Sequence, residues 1–205
     1  MLRRVLPEAR VHNPAGDQLE GLKRLLGDLT RYQQKANPFL QSVCHSVAQP
    51  AGLKQRTQVE TKILNSARAH GIKAKSLVVL AVISCLYDHA PGIPASAAHR
   101  PGRAVLKPKL VYREEMAYAA LLDLLFLELL TGMQALGASK KPVFYTHDLG
   151  LAAFWAALEP RGFQFNDQRF PTGNIRLTPA LCPALTEDEC DQLLLRLDEH
   201  DLLAA

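Results

Sequence analysis

The chain is poor in cysteine and has no CxxC pair: Cys44, Cys85, Cys182 and Cys190 stand far apart in 205 residues. So few, at such spacing, do not make a disulfide scaffold, and a reduced compartment is the setting they suit. A zinc site drawn from Cys44, His45, Cys85 and His89 would match none of the usual ligand spacings. Long apolar runs are missing as well. The purest, residues 77–86, is broken by Ser84, and the longer run at 117–130 contains Asp123 and Glu128. A spanning helix needs about 20 apolar residues, so no membrane segment is expected. The opening MLRRVLPEARV has no apolar core of signal-peptide length, and the expected location is cytoplasmic. No GxSxG, Walker or GxGxxG motif occurs, and Gly132, Gly137, Gly150 and Gly162 are too scattered to cradle a phosphate. There is no internal repeat and no low-complexity tract.

What is present is ordinary globular composition, 48% hydrophobic and 21% charged, which predicts a single domain over residues 1–205. The charge is uneven. Residues 1–113 hold 18 Lys/Arg against 6 Asp/Glu, a net +12, and residues 114–205 hold 6 against 14, a net −8, together the +4 of the whole chain. A basic half points to phosphates or another acidic surface. Mutual neutralisation of the two halves within the fold explains the asymmetry equally well.

Apolar spacing predicts a helix over residues 19–34, ended by Asn37-Pro38 because the residue before proline disfavours helix. Thr57 and Glu60 read as a capping box opening a helix that stops at Gly71. Residues 75–87 fit a helix or a buried strand; their length and their alanine, leucine and cysteine favour helix. Residues 91–110 form a basic loop rich in proline and glycine, with Arg100, Arg103, Lys107 and Lys109 and no acidic residue. Residues 113–136 give the longest helical pattern, stopped by Gly137. Residues 142–147 read as a strand by their β-branched and aromatic content, after which Asp148 caps a helix over 149–158. Residues 162–165 and 174–177 read as two further strands. Thr186 and Glu189 form another capping box, opening a C-terminal amphipathic helix over 187–203. The expected class is α/β: predominantly helical, with a small parallel sheet.

Two carboxylates stand out. Asp123 sits in an apolar helix, where burying a charge costs several kcal/mol unless it is paired or metal-bound. Glu115, eight positions earlier, projects from nearly the same face. Asp148 stands at the carboxyl end of the expected strand, where ligands collect in open α/β sheets. Each also has a plainer reading, a buried ion pair for Asp123 and a helix cap for Asp148.

Asp123 in LLDLLFLELL, followed by Thr146-His147-Asp148 in VFYTHDLGLAAFW, resembles the PIN-domain nucleases, in which an aspartate-bearing helix precedes a strand ending in Thr-x-Asp and then a helix. The resemblance covers residues 113–165. It implies the three-layer fold of that family and hydrolysis of an RNA phosphodiester with Mg²⁺ or Mn²⁺, with a toxin-type ribonuclease, in the sense of toxin–antitoxin systems, among the expected forms. Asp123, Asp148 and Glu115 would be catalytic, and Asp123, Asp148 and Glu60 would hold the metal. Thr146, Arg100, Arg103 and Lys107 would hold the substrate. The family's first strand, which ends in an aspartate, has no acid-bearing counterpart; residues 9–13 come nearest. The rival expectation is a non-catalytic interaction or nucleic-acid-binding protein with a degenerate form of that fold, whose partner is RNA, another protein or a second copy of itself.

Overall fold

The computed structural model describes residues 16–90, 92–96, 98–135, 145–159, 161–165, 171–174 and 176–202. The chain divides into two units, residues 1–32 and 33–205. The described part of the first is helical and belongs to helix α1, Gly16–Val43, whose later turns open the second unit. The expected stop at Asn37-Pro38 is not made, because Pro38 lies inside α1. An internal proline removes an amide donor and costs about 3 kcal/mol. Around it Ala36, Phe39, Leu40 and Val43 are fully buried. At roughly 1.5–3 kcal/mol for each large apolar side chain buried, that packing outweighs the proline.

A 3-10 turn, Cys44–Val47, leads to α2, Leu53–Ala69. α2 starts after Gly52, not at Thr57, which is already within the helix and accepts a hydrogen bond from Thr61 Oγ1 at 2.9 Å. The expected stop is observed: Gly71 has φ +64°, and the Ile72 amide bonds back to Ala67 O at 2.9 Å. Helix α3, Leu77–Leu86, is buried at every one of its 10 residues. A helix apolar all round is a core helix, and α2, the 3-10 turn and the later helix Glu114–Ala135 pack on it.

The expected loop at 91–110 contains a short helix, α4, Pro101–Leu106, with proline in its first turn. α4 lies against α3 at a distance only glycine permits. A Cβ on Gly102 would come within 2.5 Å of Ala81 O and 2.6 Å of Ser84 Cβ. Ser84 Oγ fills the gap, accepting the Gly102 amide at 3.2 Å and donating to Leu181 O. Helices α5, Glu114–Ala135, and α6, Leu149–Ala157, then follow. A hairpin pairs β1, Arg161–Phe165, with β2, Pro171–Asn174. The chain ends in α7, Glu187–Leu202. The capping box of α7 is formed as expected: Glu189 Oε2 accepts the Thr186 amide at 2.8 Å, and Thr186 Oγ1 accepts the Glu189 amide at 3.3 Å.

The α/β expectation is therefore corrected: the described residues are helical and contain no parallel, layered sheet. The only strands among the described residues are the short antiparallel pair β1 and β2. β1 matches the strand expected at 162–165, while β2 lies earlier than the one expected at 174–177. The decisive difference is at 142–147. Residues 142–144 lie outside the described set, but Tyr145, Thr146 and His147 are not in a strand. A parallel sheet has both faces covered, whereas Tyr145 is 90% exposed. Thr146 Oγ1 accepts the Asp148 amide at 3.0 Å, a side-chain bond of the kind that competes with strand ladders. Residues 9–13, and Gly137, also lie outside the described set.

Candidate functional site

Helix α4 anchors a basic concavity. Arg103, on its inner side, reaches the end of α3 and forms an ion pair with Asp88, whose side chain is 1% exposed. The same guanidinium donates to Val47 O at 2.9 Å and to Ala48 O at 3.1 Å. Burial works against the Arg103 charge, but the Asp88 contact holds its pKa above the ordinary arginine value. Arg103 is thus a strut that ties α4 to α3 and to the 3-10 turn. Its guanidinium is already engaged on carboxylate and carbonyl oxygens, so the substrate-holding role read from the sequence does not suit it.

The two ends of α4 present the other cations. Arg100 stands at its N-cap position and Lys107 at its C-cap, where φ of +48° marks a left-handed residue. Lys107 is exposed. Arg100 has only long contacts, 3.4 Å each to Ile93 O and His89 Nδ1, and its Nε is buried without a hydrogen-bond partner. With Ser96, Arg103, Asp148 and Gly150 they line one open pocket of about 440 Å³.

Asp148 enters this pocket as the N-cap of α6. Its Oδ1 accepts the Leu151 amide at 2.9 Å, as its cap reading expected. Asp123, half-buried on α5, lies within electrostatic reach. Burial raises the Asp123 pKa first, the Asp148 carboxylate raises it further, and Lys107 opposes both. Arg100, Arg103, Lys107, Asp148 and Asp123 are therefore the sequence-predicted residues that come together, Arg103 with its guanidinium already engaged, and Thr146 stands beside them as the support of the Asp148 turn.

Glu60 and Glu115 do not join them. Glu115 is exposed in the first turn of α5, where a negative charge favours the helix dipole. Glu60 is buried on α2 in a network of its own. Its carboxylate accepts the Tyr87 hydroxyl and a bidentate pair from Arg196, Nε to Oε1 at 2.9 Å and Nη2 to Oε2 at 3.2 Å. It is neither the capping residue nor the metal ligand expected of it. No three acidic, histidine or cysteine side chains converge as a metal-holding set among the described residues. Two carboxylates, one of them committed to a helix amide and both beside Lys107, do not fit the Mg²⁺ or Mn²⁺ site that the nuclease resemblance implies. All four cysteines are buried and free. Burial pushes the Cys44 thiol up to about 12, partly offset by its bond with Tyr112, and the Cys190 thiol to about 11.

Sequence reading missed Asp88, Tyr87 and Arg196. Their partners lie 15, 27 and 136 positions away, so no local pattern marks them. A solitary acid closing the apolar run 77–86 was the one available sign of Asp88. Compared with known proteins, the chain matches no family model, no curated protein and no solved structure. No helix among the described residues is long and apolar enough to cross a membrane.

Proposed function

We propose that this protein binds the phosphate backbone of nucleic acid, RNA in the first instance, through the pocket at the two ends of α4, and that it does so without catalysing hydrolysis. One observation carries the reading: Arg100 and Lys107 flank an open pocket, neither has an ion-pair partner among the described residues, and the Arg100 Nη2 makes only 3.4 Å contacts. Contacts of that length leave the terminal guanidinium donors weakly engaged, and a phosphate oxygen offers them a planar, charge-assisted partner. The helix start at α6 is not itself the anion site, since Asp148 already takes the Leu151 amide. Asp148 instead narrows the pocket's preference, because a bound phosphate must sit toward Arg100 and Lys107 and away from the carboxylate. The net +12 of residues 1–113 supports the same reading by raising the local concentration of polyanions. The free, buried thiols suit a reducing, cytoplasmic setting.

The test is equilibrium binding of a labelled single-stranded RNA across a series of salt concentrations. Each phosphate contact on a single strand contributes about 0.7 to the slope of log K against log salt. Replacing both Arg100 and Lys107 by alanine should weaken binding and flatten that slope by about 1.4. Equal affinity and slope for the double variant would exclude this pocket.

A further inference from the structure

A second cleft, of about 500 Å³, lies between α2 and α7 and is lined by Thr57, Glu60, Thr61, Asn65, Arg196 and His200, together with Glu199. α7 is held beside it by fully buried Cys190, Leu193 and Leu197 and by polar ties along its length. Arg196 bonds Glu60, Lys75 pairs with Asp198, and Asp201 Oδ1 accepts the Ala74 amide at 2.6 Å. His200 is the exception among these polar groups. Its Nδ1 and Nε2 are both buried and neither has a hydrogen-bond partner. A neutral imidazole carries one donor and one acceptor, and its protonated form carries two donors. Charging His200 therefore adds a second unmet donor to a site that already fails to satisfy the first.

We propose that the last turns of α7 are an acid-sensitive latch, closed while His200 is neutral and loosened when it takes up a proton. The charged groups facing it set the direction. From α2 come the repelling Arg68 and the Glu60 carboxylate, which is already bidentate with Arg196. From α7 itself come Arg196, Glu199 and the adjacent Asp201, whose carboxylate favours the proton but is bonded to the Ala74 amide. Burial, then Arg68, lower the pKa of docked His200 from 6.5, against the pull of Asp201. A released α7 protonates this histidine at the ordinary value, so the released state binds more protons wherever the two states differ. The docking contribution of His200 is thus complete above pH 6.5 and is lost as pH falls from there through the docked value.

Amide hydrogen exchange over residues 187–202, corrected for intrinsic rates, reads the latch at pH 7.5 and pH 5.5 in the full chain. The opening population of α7 is expected to rise severalfold at the lower pH in the wild type and to stay level in His200→Gln. An unchanged wild-type opening, or the same rise in His200→Gln, overturns the proposal. If His200→Gln does not fold, the exposed change Arg68→Gln serves in its place. It removes the repulsion and should shrink the acid response, and an undiminished response overturns the latch equally. The His200 ring, followed by NMR, should titrate below 6.5; titration at or above that value is incompatible with it.

Discussion

Replacing Asp88 by alanine is expected to destabilise the protein by about 3 kcal/mol, the lower end of the cost of stripping one partner from a buried ion pair. The lower end applies because the Arg103 side chain is 22% exposed while that of Asp88 is 1% exposed, so some water reaches the abandoned guanidinium. Two backbone acceptors, Val47 O and Ala48 O, remain to it, which also moderates the loss. Urea unfolding is the assay. With a slope of about 3 kcal/mol per molar, the midpoint should fall by about 1 M at unchanged slope. The double variant Asp88→Leu/Arg103→Met should recover much of that loss, since a well-packed apolar pair often replaces a buried ion pair without penalty. A single-variant cost under about 1 kcal/mol would refute the view of Arg103 as a strut and return it to the list of residues available to a ligand. The consequence reaches the proposed site, because Arg100 and Lys107 stand at the two ends of the helix that Arg103 fixes.

Three further outcomes are expected. Asp148→Ala should cost about 1 kcal/mol through loss of the α6 cap, and in the same variant the Asp123 carboxyl, followed by NMR, should titrate lower than in the wild type because one of the causes raising it is gone. The raised Asp123 pKa means its charge weakens the fold increasingly as pH rises from 3.8 through the folded value, so Asp123→Asn should stabilise near neutral pH, with the gain vanishing on acidification below 3.8; a loss of stability at pH 7 would contradict the assignment. The four buried thiols should resist a maleimide probe in the native protein at pH 8 and react only on unfolding, which mass spectrometry after quenching would show.

What the sequence alone determined is local. The α7 capping box at Thr186 and Glu189, the left-handed stop at Gly71 and the Asp148 cap were all legible, because a cap is made by residues within three or four positions of one another. The buried character of residues 77–86 was legible too, since ten nearly uninterrupted apolar residues have nowhere else to go. The basic cast of residues 91–110 was legible in the sequence, though not the helix that sets Arg100 and Lys107 at its opposite ends. Tertiary structure decided the rest. Whether Pro38 ends a helix depended on the core around Phe39 and Leu40, and residues 145–147 pair with no strand among the described residues. Glu60 has a capping-box spacing from Thr57, yet its carboxylate belongs to Tyr87 and to Arg196, which is 136 positions distant. Charge pairing follows distance in space, and only the folded chain sets that distance.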